Sequence, residues 1–294
     1  MSDIIASPSV RAKARERGID LEQRAKQLGR THITLDDLSN TVPMGTGSSD
    51  HGKYWDVDHA QYGPVTDEPT SRFAQVASAN LGAANAMIPQ VTHHDQADVS
   101  QIEAFRKSLK SEAAERGIKV TGLAFQVMAL ARTLRAFPLF NTSLSADGKT
   151  LTYKDYVHIG IAVDTPFGLM VPVIRDADRK GIFELSRDIS DLAKRAQDRK
   201  LGPDEMGGAS MSISNLGGIG GTAFTPIVNP PEVAILGITK TKMEPVWDGE
   251  TFVPKPMTPL DLSYDHRVIN GADAARFMTH LCKLLSDPRH LVQI

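Results

Sequence analysis

The sequence predicts a mixed α/β fold, a sheet layered with helices, and three observations point to it. Short apolar runs rich in β-branched residues alternate with stretches of helical periodicity, so strands and helices interleave along the chain. The interleaving runs from about residue 98 to the carboxy terminus, which leaves room within 294 residues for a sizeable core. The composition, 41% hydrophobic and 23% charged with a formal charge of -2, is that of a globular chain and implies neither a nucleic-acid nor a membrane partner.

In chain order, residues 7–38 read as a miniature helical unit. Ser7-Pro8-Ser9 offers a helix start ahead of residues 10–17, Gly18 stops that helix, and Thr34-Leu35-Asp36-Asp37-Leu38 begins another turn. Residues 39–70 shift to Gly, Ser, Pro, Asp and His and read as a flexible linker. Tyr54, Trp55 and Tyr62 are its exceptions, either docked on the next domain or exposed. The large domain, 71–294, opens with a helix over 98–116 carrying Ile102, Phe105 and Leu109 near helical spacing, then a more apolar helix over 121–137 closed by Pro138. Two strands, 157–163 and 169–174, flank a tight Asp-Thr-Pro-Phe-Gly connection. Ile182, Leu185, Ile189, Leu192 and Ala196 mark an amphipathic helix. There follow a strand at 210–214, a glycine-rich turn at 216–221, a strand at 233–239 and a Trp-Asp-Gly-Glu turn between Val246 and Phe252. A strand at 260–264 and a helix at 271–286, with Ala274, Met278, Leu281 and Leu285 on one face, complete the set. No internal repeat is present.

Several chemistries are disfavoured by the sequence. One cysteine, Cys282, provides neither a disulfide framework nor a cysteine zinc site, fits a reducing compartment, and lies beside the apolar face of the last helix, where packing is expected. His93-His94 lacks a third ligand at recognisable spacing, so no metal is expected. Gly217-Gly218-Ile219-Gly220-Gly221 is followed by no helix, so a close backbone turn is expected there in place of a nucleotide loop. No run reaches the roughly 18 apolar residues of a membrane span, and the amino terminus lacks a secretory core. Glu16, Asp20 and Glu22 do not suit a transit peptide. A cytoplasmic protein is expected.

The chemistry points to the connection after the 260–264 strand, because catalytic side chains gather at the edges of rigid elements. There Ser263-Tyr264-Asp265-His266-Arg267-Val268-Ile269-Asn270-Gly271-Ala272-Asp273-Ala274-Ala275-Arg276-Phe277 places a histidine between strand and helix. By residue type alone, His266 is one of nine histidines and reads as an ordinary loop residue, Ser214 as a strand-end serine, and Asn270 with Asp273 as a capping box. That run, with Phe-Gly-Leu-Met-Val-Pro-Val-Ile-Arg at 167–175 and Ser-Ile-Ser-Asn-Leu-Gly-Gly-Ile-Gly-Gly at 212–221, nevertheless resembles the catalytic domain of the dihydrolipoamide acyltransferases, the central components of 2-oxo-acid dehydrogenase complexes. The likeness covers 71–294, about three-quarters of the chain.

The resemblance implies a chloramphenicol-acetyltransferase-like fold, with trimers whose active sites lie between subunits. It implies His266 as the general base that takes the proton of a thiol, a role suited to histidine. Ser214 takes the position of the family's oxyanion donor, whose help is commonly worth roughly 3 kcal/mol. Most relatives carry Asp where this chain has Asn270, in a His-x-x-x-Asp-Gly pattern. An amide cannot relay a proton, so Asn270 is expected to orient substrate or polarise the site. Coenzyme A or acetyl-coenzyme A is the implied substrate, with no metal, and no individual coenzyme A contacts are assigned. The Gly-Ala-Asp-Ala-Ala-Arg-Phe continuation is most similar to the acetyl-transferring pyruvate dehydrogenase members.

Residues 6–38 resemble the same family's peripheral-subunit-binding domain through Ala6-Ser7-Pro8-Ser9-Val10-Arg11 and Gly18-Ile19-Asp20-Leu21, which implies the 2-oxo-acid decarboxylase and dihydrolipoamide dehydrogenase components as partners. The family's glycine-rich loop is replaced at residues 23–32, with Gly29 kept and His32 where arginine is usual. Between Arg11 and Arg30 seven basic residues face three acidic ones, a charge suited to an acidic partner surface. No Asp-Lys dipeptide of a lipoylated lysine occurs. The expectation is therefore either a shortened form of a longer protein or a lipoyl group supplied by another chain. Leu291-Val292-Gln293-Ile294 is apolar enough to join trimers into a larger shell. The sequence leaves two alternatives open, a noncatalytic scaffold that organises partner enzymes and a small-molecule O-acetyltransferase.

Overall fold

In the computed structural model, the residues described are 4–16, 19–28, 31–38 and 57–292, and the chain divides into two compact units, Met1–Glu68 and Pro69–Ile294. In the first unit β1 (Ile5–Ala6) leads into α1 (Pro8–Glu16), followed by α2 (Leu21–Leu28) and β2 (His32–Ile33), which pairs in parallel with β1. A 3₁₀ turn spans Asp36–Leu38. Val10, Ala14, Ala25, Ile33 and Leu38 form its small core. The sequence signals α1 and the last turn but leaves α2 out, although Asp20 Oδ1 accepts from Glu22 N at 2.8 Å and starts it. The replaced loop at 23–32 is thus helical through Leu28. Two arginines of the basic stretch hold this unit together: the Arg11 guanidinium donates to the carbonyls of Ile4 and Ala6 at 2.8 and 3.2 Å, and Arg24 Nε to that of Asp37 at 2.8 Å. Tyr54, Trp55 and Gly29 lie outside the described residues, and Tyr62 is exposed.

The second unit begins with α3 (Arg72–Met87), started by Ser71, whose hydroxyl accepts from Ala74 N at 3.2 Å. Then come β3 (Gln90–Asp98), α4 (Ser100–Ser108), α5 (Lys110–Glu115), α6 (Gly122–Ala136), β4 (Thr142–Leu144) and β5 (Leu151–Tyr153). β6 (Ile159–Ile161), β7 (Val163–Thr165), β8 (Gly168–Met170) and β9 (Val173–Ile174) precede α7 (Ile182–Gln197). β10 (Met211–Asn215), β11 (Ala234–Ile238), β12 (Lys242–Trp247), β13 (Phe252–Asp265), α8 (Gly271–Ser286) and α9 (Arg289–Val292) finish the chain. β12, β13, β11, β10, β6 and β9 lie side by side in one sheet, and β3 pairs with the other edge of β13. β10 is parallel to both β6 and β11, whereas β13 is antiparallel to β11, β12 and β3, so the sheet is mixed.

The expected helix at 98–116 breaks into α4 and α5 at Leu109, and each strand expected at 157–163 and 169–174 breaks in two. The inner halves, β7 and β8, form a separate hairpin, whereas β6 and β9 join the main sheet. The Trp-Asp-Gly-Glu turn does join β12 to β13, whose tip exposes Trp247 and Phe252 in edge contact at 5.2 Å.

Alternation along the central strands separates two faces. Met211 and Ile213, Ala234, Leu236 and Ile238, and Leu260, Leu262 and Tyr264 enter the main core, where α6 and α8 bury their apolar faces. The opposite face carries Ser212 and Ser214, Gly237, Asp261 and Ser263, and part of it is covered by Ala84, Ile88, Val228 and Ile235. The Phe224 ring also lies against it, so close to Gly237 that a Cβ there would meet the ring at 2.7 Å. A helix-covered apolar face thus backs a polar one.

Candidate active site

β13 ends at Asp265, and the next residue, His266, stands in the turn that leads to α8. Two backbone bonds close the turn, from Val268 N and Ile269 N to Asp265 O at 3.0 Å each, and His266 N donates to Pro89 O at 3.1 Å. The buried Asp265 carboxylate also receives Arg267 N at 3.0 Å, Arg267 Nε at 2.9 and 3.1 Å, and Nη2 at 2.6 Å. A buried carboxylate requires such a partner. The forked pair holds the backbone on either side of His266 while its ring projects outward. Tyr264 tilts beneath it with ring centroids 5.8 Å apart. The ring nitrogens of His266 make no hydrogen bond within the described residues.

Asn270 occupies the N-cap position just before α8, but its side chain makes no capping bond. Its carbonyl does that work, receiving Asp273 N and Ala274 N at 3.0 Å each. The expected capping box is therefore not formed, because Asp273 instead pairs with Arg276 at 3.0 Å. The amide of Asn270, exposed beside the His266 turn, makes no hydrogen bond among the described residues.

Ser214 lies on β10, half-buried, with a hydroxyl that makes no hydrogen bond among the described residues. Its row across the sheet runs through Gly237 on β11 to Asp261 on β13, four residues before Asp265. With strands about 4.8 Å apart and a rise of about 3.3 Å per residue, Ser214 lies about 16 Å from the end of β13. One chain therefore carries His266 and Asn270 on the same β13–α8 connection but keeps Ser214 apart from it.

The other residues that the sequence singles out are engaged structurally. His94 Nδ1 bonds to Asp261 Oδ1 at 2.6 Å across the β3–β13 ladder, and alternation points His93 to the opposite face. Among the described residues, no group of three or more His, Cys, Asp or Glu side chains is arranged to hold a metal. The Cys282 thiol is pushed up to about 12 by burial and by Asp95, far from a ready nucleophile. Residues 216–221 form the expected close turn, with Gly217 N donating to Asn215 Oδ1 at 2.8 Å. Leu291 is buried on its own core. Asp265 and Arg267 have no expected role, although an acid and a base flanking the histidine signal the pair.

Residues 62–293 match the family model of the 2-oxoacid dehydrogenases acyltransferase catalytic domain. The chain is 47% identical to the dihydrolipoyllysine-residue acetyltransferase component of the pyruvate dehydrogenase complex from Cupriavidus necator, over 98% of this chain and 55% of that protein. It spans about half the length of the curated relatives it matches. Among solved structures, it is similar to Azotobacter vinelandii dihydrolipoamide acetyltransferase, studied for the role of a serine, a histidine and an asparagine in its catalytic mechanism. That match has a TM-score of 0.79 at 50% identity and covers 81% of this chain and 98% of the other. A second, the cubic core of the pyruvate dehydrogenase multienzyme complex, matches at 51% identity with the same TM-score and the same coverage.

Proposed function

The chain belongs to the 2-oxoacid dehydrogenase acyltransferase family, and on that premise we propose that it moves an acetyl group between a dihydrolipoyl thiol and coenzyme A. The carrying observation is that three unengaged polar side chains, Ser214, His266 and Asn270, repeat the separations of the three residues studied in the Azotobacter vinelandii enzyme. Those separations are 52 residues from serine to histidine and four from histidine to asparagine.

In this reading His266 removes the proton from the coenzyme A thiol, and the thiolate attacks the carbonyl carbon of the acetyl-dihydrolipoyl thioester. The carbonyl oxygen becomes an oxyanion that Ser214 Oγ–H stabilises by donation. Collapse breaks the bond to the dihydrolipoyl sulfur, which takes the proton back from His266. Asn270, beside the base, orients the substrate through its amide. Asp265 and Arg267 keep the imidazole presented throughout.

Because Ser214 lies about 16 Å from the end of the strand that leads into His266, whereas an oxyanion donor must come within about 3 Å of the reacting oxygen, each site combines groups from two copies. A homotrimer supplies them in a closed head-to-tail arrangement. Exposed Val76, Leu81 and Met87 on the apolar helix α3 supply surface for such an assembly. Trimers joined into a larger shell follow the cubic-core relative. Within the complex, residues 6–38 dock the decarboxylase and dihydrolipoamide dehydrogenase components, with another chain or domain carrying the lipoyl group. No helix among the described residues is long and apolar enough to cross a membrane.

The test is acetyl transfer from acetyl-coenzyme A to free dihydrolipoamide by the intact protein and by His266→Ala. A loss on the order of 10³-fold in kcat/KM is expected. Equal rates, or no transfer by the folded and assembled protein, would refute the reading.

A further inference from the structure

Three serines alternate along the polar face of β10 and the residue just before it, Ser210, Ser212 and Ser214. Ser210 is spent on the backbone, receiving His158 N at 3.1 Å and donating to Tyr156 O at 3.3 Å. Ser214 is open. Between them Ser212 Oγ donates at 2.9 Å to Glu232 Oε1, a carboxyl only 5% exposed that closes the turn after Asn229. The same oxygen receives Asn229 Nδ2 at 3.1 Å, while the second oxygen, Oε2, is buried with no partner among the described residues. On the other side of Ser212 stands Gly160 of β6, where a Cβ would collide with the hydroxyl. The Ser212 side chain is therefore clamped between a missing methyl and a buried acid, two residues before Ser214 on the same face.

From this geometry we infer that Glu232 is a positioning residue for Ser214, fixing the Ser212 hydroxyl and with it the stretch of β10 that presents the oxyanion donor. The inference rests on the acyl-transfer reading of Ser214. Glu232 performs the role as the neutral acid. Burial lifts its carboxyl to about 7 from the ordinary 4.5, and the charged group that acts on it is Lys154, in the connection from β5 to β6. Lys154 is itself occupied: its ammonium donates to Thr142 O and Ala209 O at 3.3 and 3.2 Å, and burial holds its pKa down. Ser212 from β10, Asn229 from the turn and Gly160 from β6 bring no charge. The folded-state value lies above the unfolded one, so the stability contributed is complete below about 4.5 and is lost as pH rises through about 7. Above that, an ionised carboxylate with an unpartnered oxygen must draw in water or Lys154, and the clamp on Ser212 loosens.

Wild type, Glu232→Gln and Glu232→Ala of the full chain are to be compared in acetyl transfer from acetyl-coenzyme A to dihydrolipoamide, across pH values on both sides of about 7. The wild type is expected to show a fall in kcat on the alkaline side, and Glu232→Gln, neutral at every pH, is expected to lack that fall. Glu232→Ala should lose on the order of tenfold in kcat at all pH values, because a misplaced group costs rate, while KM for acetyl-coenzyme A stays within about twofold. In parallel, the melting temperature of the wild type should fall relative to Glu232→Gln as pH rises from about 4.5 to about 7 and level off above that, a readout that needs no activity. An unchanged alkaline limb in Glu232→Gln, a Glu232→Ala protein with wild-type kcat, or parallel melting curves would overturn the inference alone. Absence of transfer by the folded wild type would instead overturn the functional reading on which it rests.

Discussion

His266 stands on a turn tied by one forked ion pair, Arg267 to Asp265, whereas Ser214 stands on a strand bonded to β11 along its length and to β6 up to the preceding residue. The turn owes its shape to charge and hydrogen bonding at a single carboxylate. The strand owes its shape to many backbone bonds, none individually decisive. A local substitution should therefore disturb the His266 side through its support and the Ser214 side mostly through the hydroxyl itself and less through the Glu232–Ser212 contact.

The sharpest test on the strand side is Ser214→Ala, expected to lower kcat on the order of 10²-fold with little change in KM or melting temperature, as measured by steady-state kinetics and calorimetry. A drop in stability of similar weight would place Ser214 in the fold instead. On the turn side Arg267→Gln is expected to lower kcat about tenfold and to destabilise the chain by about 2 kcal/mol, less than a fully buried pair because the guanidinium is partly solvated. Denaturant titration checks the second figure, and a loss of rate without loss of stability would mean that Arg267 touches substrate.

Co-expressing His266→Ala with Ser214→Ala joins the two regions in one experiment. Random co-assembly leaves about a quarter of the sites with both groups intact, so about a quarter of wild-type activity should return. No recovery in mixed assemblies would place both groups of a site in the same chain. The smallest effect is expected for the fold at Asn270: Asn270→Ala should change stability by less than about 0.5 kcal/mol, because the side chain caps nothing, while lowering activity.

The elements legible in the sequence are those whose side-chain pattern matches their burial. α6, α7, α8, β10 and β11 follow their apolar periods, and the β12–β13 turn announces itself by its residues. β3 does not, because Gln-Val-Thr-His-His-Asp-Gln-Ala-Asp is an edge strand with one buried residue, held by pairing with β13. α3, too, has a single buried residue in this chain, so its small and apolar side chains present no amphipathic face to detect. Glu232 escapes a reading by motif, although a charged residue amid Val-Asn-Pro-Pro and Val-Ala-Ile-Leu is conspicuous. The three site residues enter through resemblance, and what no motif conveys is that Ser214 and Asn270 lie at different ends of the strand system. The capping-box expectation at Asn270 fails because Asp273 has a better partner in Arg276.

The hairpin tip of β12 and β13 also gives the molecule an optical gauge. Of the two tryptophans in the sequence, Trp247 is the one carried by the unit Pro69–Ile294, and it stands 56% exposed against the edge of Phe252. An indole in water emits toward the red, and one covered by protein toward the blue. With Trp55 replaced by phenylalanine, the emission colour therefore reports, without any label, whether anything comes to cover the hairpin tip.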